Sequence, residues 1–262
     1  MQKSFLLLIF FFLQVTVNQK LIANTPSYNE ENSITKASQQ LLLLAKKREP
    51  ADSLVLYFQK ITPAELVAAL NTDSRKKAFW LNIYNAFTQL FLSKNPDQYK
   101  KRSQFFGNKK INIAGQLLSL DRIEHGLLRR SKTKWSMGYI NRLFPSTFEK
   151  ENRVDTVDYR IHFALNCGAR SCPPIAFYKA DQLDKQLDLA TKIYLKSEST
   201  YDAERNHIAL PAIMGWFRGD FGGKRKMKEL LKKTGVIPTD TNPSVSFKKY
   251  DWNLYLDNYK TD

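Results

Sequence analysis

The feature that most constrains the fold is a long, strongly apolar stretch between residues 74 and 93. Its Ala, Phe, Trp, Leu, Ile and Tyr residues cover most of the circumference of a helix, so we predict that a helix over Ser74–Ser93 runs through the hydrophobic core. The polar residues of this stretch are not scattered, because Asn82, Asn85 and Gln89 recur at helical spacing and form one narrow stripe. The rest of the chain must therefore pack around this helix on most sides.

Shorter patterns predict the elements that surround the apolar helix. Thr62-Pro63-Ala64-Glu65 combines a capping residue, a first-turn proline and a capping-box glutamate, which together mark a helix start. The remaining periodic segments predict helices over 38–47, 54–61 and 181–195, hairpins over 111–120 and 201–210, and strands over 159–166 and 245–252. Together these elements predict an α+β fold. In it, a central, mostly antiparallel sheet with hairpins is packed by several helices, including the buried hydrophobic helix over 74–93.

The N-terminus predicts export. Lys3 precedes an apolar run over Phe5–Val17, which is too short to span a bilayer, and Leu21-Ile22-Ala23 fits a cleavage site. We therefore expect residues 1–23 to be a signal peptide, with an uncleaved membrane anchor as the alternative. The mature protein is then periplasmic or secreted.

The remaining sequence predicts one globular domain. Hydrophobic residues make up 43% and charged residues 25% of the chain, which is ordinary globular composition. We expect residues 24–36 to be a flexible arm and residues 37–262 a single domain. Nothing after the signal peptide predicts a transmembrane span.

The net charge of +16 favours anionic partners. Removal of residues 1–23 takes away Lys3 and Lys20 and no acid, which leaves +14 (16 minus 2). For an exported protein, lipid head groups or acidic glycans are more natural partners than nucleic acid. The basic clusters within 224–233 indicate the solvent face of an amphipathic helix, with a dedicated anion site as the alternative.

The segment from His162 to Pro174 contains the residues most capable of chemistry. Strand alternation over 159–166 places His162 and Asn166 on one face and leads to Cys167 at the end of the strand, just before a glycine. A cysteine nucleophile needs thiolate character, which an imidazole can supply, and a third group that orients the imidazole. His162 is one candidate imidazole. The other is His125, on a helix that Ser119 or Asp121 can cap and that ends in Arg129-Arg130, as the helix dipole prefers.

We therefore predict a Cys/His site. The candidate catalytic residues are Cys167, Cys172, His125, His162 and Glu124. The candidate substrate contacts are Asn82, Asn85, Asn166, Arg170 and Asp220; Asp220 can also orient a histidine, and the two helical asparagines can donate to an oxyanion.

Each candidate also has a purely structural interpretation. The cysteines can be a disulfide, buried thiols or metal ligands, the histidines can be satisfied core residues, and the asparagine stripe can bind loops that cross the helix. A second cysteine pair, a glycine-rich phosphate loop and a serine nucleophile elbow are absent from the sequence, so we predict neither a metal nor a cofactor.

Several segments resemble one family. They are Ala78 to Ala86, Leu118 to Gly126, His162 to Pro174, Trp216 to Phe221 and Tyr250-Asp251-Trp252, and together they are similar to the family known as domain of unknown function 547. The resemblance covers roughly residues 70–255 and implies where a site lies without implying a reaction. Gly215 and Gly219 depart from it, since bulkier residues are expected beside Trp216.

Two functions remain open from the sequence. The first is a cysteine-dependent hydrolase or acyl-transfer enzyme of the cell envelope, acting on an unknown and possibly anionic envelope component. The alternative is a non-catalytic, basic envelope binding module in which a Cys167–Cys172 disulfide shapes the loop. The first requires that folding bring a sulfur close to an imidazole at a surface that ligands can reach.

Overall fold

Helices make up about half of the described chain. The computed structural model describes residues 33–260. Its α-helices are α1 (Ser33–Lys47), α2 (Asp52–Lys60), α3 (Pro63–Ala69), α4 (Asp73–Lys94), α5 (Arg102–Gly107), α6 (Thr147–Asn152), α7 (Leu183–Glu198), α8 (Ala212–Trp216) and α9 (Gly223–Lys233). Two 3₁₀-helices span Pro96–Lys101 and Tyr159–Phe163, and a π-helix spans Arg122–Leu128. The strands are β1 (Ile111–Ile113), β2 (Gln116–Leu118), β3 (Thr200–Asp202), β4 (His207–Leu210) and β5 (Ser244–Phe247). These elements confirm the α+β class.

α4 is the buried helix that the sequence predicts. Thr72 caps its start by accepting a hydrogen bond from the Arg75 amide at 3.2 Å, and Asn95 ends it because the following proline disfavours a helical conformation there. Most of its large side chains are buried, and Phe79 and Trp80 are fully buried. Each such side chain contributes roughly 1.5–3 kcal/mol through burial, so this helix organises the larger part of the core.

The strands form two small sheets. In the first, β1 and β2 pair as an antiparallel hairpin, with Ile111 opposite Leu118. In the second, β4 lies between β3, its antiparallel partner, and β5, which runs parallel to it. Both hairpins lie where the sequence predicts them. A central, mostly antiparallel sheet is not evident among the described strands, because each sheet is short and one pairing is parallel.

The strand prediction over residues 159–166 is wrong. The segment begins instead with the 3₁₀-helix Tyr159–Phe163, which Asp158 caps by accepting a hydrogen bond from the Arg160 amide at 3.1 Å. Ile161, Phe163 and Ala164 are all buried. The apolar residues therefore reflect burial on every side of a turn rather than one face of a sheet.

This 3₁₀-helix lies where two hydrophobic clusters meet. Ile161 belongs to the cluster built around α4. Phe163 belongs to a second cluster, which also contains Met214 from α8 and Met227 from α9. His162 lies between Ile161 and Phe163 in the chain, so the packing of these two neighbours into different clusters fixes its position.

The described chain begins as a helix at Ser33. The last four residues of the expected arm, 33–36, are thus helical, because Ile34 and Thr35 are buried against the core. Residues 24–32 of that arm and the predicted signal peptide lie outside the described residues. Among the described helices, none combines the length and apolar character needed to cross a membrane.

Candidate active site

A pocket of about 300 Å³ opens beside the cysteine-containing loop. α4 contributes Tyr84, the π-helix contributes Glu124 and His125, and the 3₁₀-helix contributes His162. The wall is completed by Phe106, Asp121, Lys134, Leu165, Cys167, Pro173, Ile213, Trp216, Phe217, Tyr250 and Trp252. The pocket therefore combines an aromatic rim with several ionisable groups.

Two free thiols meet at this wall. The sulfur of Cys167, which is partly exposed, lies 2.7 Å from that of Cys172, which is buried. The Tyr250 hydroxyl lies 3.4 Å from the first sulfur and 3.1 Å from the second. Cys167 faces the pocket, whereas Cys172 lies beneath it.

The loop that carries the cysteines is held by asparagine side chains. Asn85 donates to the Ala164 carbonyl (3.0 Å) and accepts from the Asn166 amide (2.9 Å). Asn166 in turn donates to the Pro173 carbonyl at 2.8 Å and accepts from the Gly168 amide at 2.9 Å. These bonds close the loop on itself, which explains why the two sulfurs meet.

The far end of the chain supports the same loop. The Tyr255 amide donates to the Gly168 carbonyl (2.8 Å), and the Arg170 amide donates to the Asn253 carbonyl (2.9 Å). Gly168 has a φ of 84°, and a Cβ there would come within 2.7 Å of the Leu92 side chain. The turn after Cys167 therefore requires glycine.

The two thiols differ in acidity. Hydrogen bonding from Cys172 lowers the pKa of Cys167, and the Tyr250 hydroxyl and the Ala169 amide add to this effect against the penalty of burial. Burial raises the pKa of Cys172 well above its ordinary value. Burial, with the two cysteines, also raises the pKa of Tyr250, which therefore stays a protonated donor. Cys167 is consequently the thiol that ionises first.

A buried guanidinium organises the histidines. Arg129, fully buried, donates through Nε to Asp220 Oδ2 at 2.6 Å and through Nη1 to His125 Nδ1 at 2.9 Å. The other partner of Asp220 is His162, whose Nε2 lies 2.8 Å from Oδ2. The sequence suggested Arg129 as a dipole-compensating residue at a helix end, but its charge is used inside the protein because a buried carboxylate balances it.

These bonds define the protonation of both imidazoles. Since Arg129 can only donate, His125 accepts at Nδ1 and carries its hydrogen on Nε2. Burial, reinforced by the charge of Arg129, lowers the pKa of His125 to about 3. Burial also lowers the pKa of His162, against the opposing bond to Asp220. Burial alone would raise the pKa of Asp220, but the bonds from His162 and Arg129 outweigh it and lower that pKa to about 2. Both histidines are therefore neutral at neutral pH, and His162 donates from Nε2 and leaves Nδ1 unprotonated.

Glu124 supplies a carboxyl group whose pKa is raised, whereas that of Asp220 is lowered. Burial raises its pKa, and the charge of Arg129 opposes this only in part. Its Oε1 lies 3.6 Å from His125 Nδ1, and no hydrogen bond holds it among the described residues. A pocket carboxyl with a raised pKa is suited to give and take a proton.

The π-helix Arg122–Leu128 sets the positions of these groups. The amides of Arg129 and Ser131 bond to the carbonyls five residues earlier, those of Glu124 and Gly126, at 2.9 Å each. Ser119 accepts a hydrogen bond from the Arg122 amide at 3.1 Å, as one of the two predicted caps. Wider turns of this kind are frequent at functional sites.

The structure gives a reason for the two glycines beside Trp216, where bulkier residues were expected. A Cβ on Gly219 would lie 2.7 Å from the backbone of Gly138, and the Gly219 amide donates to the Met137 carbonyl at 2.7 Å. A Cβ on Gly215 would lie 3.0 Å from the Phe247 ring. Small residues here allow a neighbouring loop and β5 to approach Asp220 and Trp216 closely.

The structure brings together the predicted catalytic residues but not the predicted substrate contacts. His125, His162, Glu124 and Cys167 line one pocket, and Cys172 contacts Cys167. Neither imidazole makes a hydrogen bond to a sulfur among the described residues.

The residues predicted to contact substrate lie elsewhere. Asn82 binds the backbone of Tyr178 at 2.9 and 3.0 Å, and Asn85 and Asn166 are fully buried in the loop network. Arg170 is exposed and lies 3.7 Å from Asp251, and Asp220 lies behind His162. None of these five side chains lines the pocket.

Sequence reasoning missed Arg129 and the aromatic wall. The ring of His162 is stacked on Phe217 with centroids 3.9 Å apart, and Trp216 is stacked on Trp252 at 5.5 Å. Trp216, Tyr250 and Trp252 stand in segments that resemble the family, which was the available signal for them. Arg129 offered no such signal, because a basic residue at a helix end is common.

Among the described residues, no cluster of three or more His, Cys, Asp and Glu side chains is arranged to hold a metal ion. No curated protein and no solved structure matches the chain. The family described as "Protein of unknown function, DUF547" matches residues 67–195, which contain the π-helix, the 3₁₀-helix with His162 and both cysteines. Trp216 and Tyr250 lie beyond the matched range. Over residues 67–195 the chain is therefore similar to the DUF547 family.

Proposed function

We propose that this protein is a cysteine-dependent enzyme, a hydrolase or acyl-transfer enzyme, in which Cys167 is the nucleophile. One observation carries the proposal: Cys167 lines a pocket together with two imidazoles and a carboxyl group, while the Cys172 sulfur and the Tyr250 hydroxyl contact its own sulfur. The predicted signal peptide adds that the enzyme acts in the cell envelope. The basic charge favours an anionic envelope component as the substrate.

The chemistry follows from the protonation of the pocket groups. The Cys167 thiolate attacks an acyl carbonyl and forms a thioester, and the leaving group takes its proton from the Glu124 carboxyl. Water then attacks the thioester and returns a proton to Glu124, which releases the acid and restores the thiolate. In acyl transfer, an amine or alcohol replaces water.

His162 supports the same cycle as a neutral base. Its Nε2–H is held by Asp220, so Nδ1 is available to accept the proton of the Cys167 thiol before the first attack. The low pKa of Asp220 keeps that carboxylate charged throughout. Neither histidine contacts a sulfur in the free protein, and such bonds often form only in the substrate complex.

The contact between the two sulfurs favours a second candidate, thiol–disulfide exchange. Cys167 would attack the disulfide of a small thiol compound and release one thiolate, which leaves a mixed disulfide on Cys167. Cys172, on losing its proton, would attack the Cys167 sulfur and release the second thiolate. The substrate disulfide gains two electrons, and the protein gains a Cys167–Cys172 disulfide.

Iodoacetamide labelling of the reduced, folded protein tests the nucleophile. We expect one thiol to react near neutral pH, and we expect Cys167→Ala to abolish this reaction. Cys172→Ala should stay reactive, with its labelling midpoint at higher pH because the donor from Cys172 is gone. Thermal unfolding of each variant serves as the folding control. If both thiols are inert, the enzyme proposal fails and the disulfide-shaped binding module is preferred.

Cys172→Ala also separates the two candidates. Turnover of an activated ester, such as p-nitrophenyl acetate, should survive in this variant if Cys167 acts alone on acyl groups. Reduction of oxidised glutathione should be lost, because it requires both sulfurs. Loss of ester turnover in Cys167→Ala but not in Cys172→Ala would support the hydrolase.

A further inference from the structure

A second pocket, of about 460 Å³, adjoins the cysteine pocket and is strongly basic. The two pockets share Asp121, His125 and Lys134 as common wall residues. The cationic side chains at the second pocket are Lys109, Arg122, Lys132, Lys134 and Arg142, and Asp121 is the only acidic residue among the described residues that line it. The proposed acyl chemistry makes no use of these cations.

Internal pairing leaves part of this charge available. Arg122 and Arg142 share the buried carboxylate of Glu149 at 2.6 and 3.0 Å, and Lys134 pairs with Asp121 at 2.8 Å. Lys109 and Lys132 have no ion-pair partner within residues 33–260. Five cations thus face two carboxylates, so the pocket attracts an anion.

The loop formed by residues 130–146 makes one wall of this pocket and exposes large apolar side chains. Trp135 is 75% exposed, Leu143 84% and Phe144 89%. Met137, Tyr139 and Ile140 of the same loop are also exposed. So many exposed apolar side chains on one loop are unusual for a surface that contacts only solvent.

The loop is nevertheless ordered. The Thr133 amide donates to the Ile140 carbonyl at 2.9 Å, and the Arg142 amide donates to the Ser131 carbonyl at 2.7 Å. Ser136 adds bonds to the Thr133 and Ile140 carbonyls. The backbone is therefore satisfied locally, and the apolar side chains are displayed at its surface.

We propose that the 130–146 loop and the basic pocket dock on an anionic phospholipid membrane. The phosphate of a lipid head group occupies the pocket between Lys109 and Lys132. Trp135, Leu143 and Phe144 enter the boundary between head groups and acyl chains, where aromatic and aliphatic side chains are favoured.

Charge complementarity selects a membrane over a protein partner. Residues 130–146 contain four basic residues and no acidic one. Basic residues mixed with exposed Trp, Phe and Leu are typical of surfaces that bind anionic lipids, whereas the cores of protein interfaces are depleted in lysine. The proposal is independent of the thiol chemistry.

Vesicle co-sedimentation of the full chain tests this proposal. We expect binding to mixed phosphatidylglycerol and phosphatidylcholine vesicles, weaker at high salt, and little binding to phosphatidylcholine alone. Lys109→Gln with Lys132→Gln should weaken binding roughly fivefold for each lysine removed. Leu143→Ser with Phe144→Ser should weaken it by about tenfold or more.

Matched controls lie on α7. Leu189→Ser with Ile193→Ser, and Lys192→Gln with Lys196→Gln, remove the same kinds of exposed side chain from outside the loop. They should leave the affinity unchanged. Residues 1–32 are present in every variant and contribute equally to each.

A local readout uses brominated lipids. These quench tryptophan fluorescence at the acyl boundary, and Trp135→Phe should remove most of the quenching. Equal affinity of the loop variants and the wild type would overturn the proposal. Binding of inorganic phosphate without vesicle binding would overturn it in favour of a free anion, and loop-dependent self-association without vesicle binding would overturn it in favour of a second copy.

Discussion

Arg129 determines the protonation of several of its neighbours. It gives Asp220 a partner inside the protein and occupies the only unprotonated nitrogen of His125. A guanidinium cannot lose its proton at any ordinary pH. Burial and this nearby positive charge together keep both histidines neutral, but only His162, through Nδ1, can accept a proton, because the acceptor nitrogen of His125 is already bonded to Arg129.

This arrangement predicts a pH dependence of stability. The pKa of His125 is lowered to about 3 in the folded protein. The unfolded chain therefore binds a proton at this residue below about pH 6.5, whereas the folded chain binds it only as the pH approaches 3. The stabilisation is complete above about pH 6.5 and is lost progressively as the pH falls toward 3. Between pH 7 and pH 5 the loss from this residue is about 2 kcal/mol.

Urea unfolding of His125→Asn checks this dependence. The substitution keeps an acceptor for Arg129 and removes the titrating group. The free energy of unfolding of the wild type should fall by about 2 kcal/mol more than that of the variant between pH 7 and pH 5. Equal slopes would show that His125 is not held neutral by its surroundings.

At the residue scale, the sequence singles out candidates where their chemistry is rare. The cysteines, two histidines and Glu124 could be chosen from the sequence, since few other side chains support covalent catalysis. Arg129 had no such signal, and Tyr250 was indicated only by its place in a segment that resembles the family. An arginine and a tyrosine have many ordinary uses, and only folding brings Tyr250 to sulfurs that precede it by 83 and 78 residues.

At the level of elements, α4 is both core and scaffold. The asparagine side chains of α4 form hydrogen bonds to the backbone of the segments that cross the helix. In a sheet, neighbouring strands would make such bonds. Asn82 binds the Tyr178 backbone, and Asn85 binds Ala164 and Asn166. The structural interpretation of the stripe is thus the one that the contacts support.

Asn85→Ala should therefore destabilise the protein by roughly 3 kcal/mol, because the Ala164 carbonyl and the Asn166 amide would be left buried without partners. Urea unfolding measures this change. Ser93→Ala, near the exposed end of the same helix, is the control and should change stability by less than about 0.5 kcal/mol. A small effect of Asn85→Ala would mean that water can replace the amide.

Long periodic patterns and the capping and turn motifs were predictable at this scale, and short buried segments were not. The apolar helix, the capping box at Thr62 and both hairpins are confirmed. The segment 159–166 was misread because burial on all sides produces the same apolar residues in a turn as in a strand. A π-helix has no sequence signature that separates it from an α-helix, so the placement of Glu124 could not be foreseen.

Across the whole molecule, the pocket draws on both hydrophobic clusters and on the C-terminal segment. The family match ends at residue 195, yet Phe163 packs in the cluster that contains Ile208 and Leu231. Leu41 and Phe58, which precede the match, belong to the other cluster. The matched region is therefore not a complete folding unit.

A fragment of residues 67–195 should consequently lack a cooperative unfolding transition. Circular dichroism during urea titration would follow helix content, with the full chain as the reference. We expect a broad, shallow change for the fragment and a sharp transition for the full chain. A sharp transition of the fragment would show that the flanking helices are dispensable.

The pairing of residues 250–255 with the cysteine loop has a consequence for the order of synthesis. On the ribosome, Cys167 and Cys172 are made long before the tyrosine whose hydroxyl contacts both sulfurs. A nascent chain that stops short of residue 250 has two neighbouring thiols without that hydroxyl. The surroundings of the two thiols are thus completed only after residue 250 has been made, and chains that terminate prematurely before it would lack that hydroxyl.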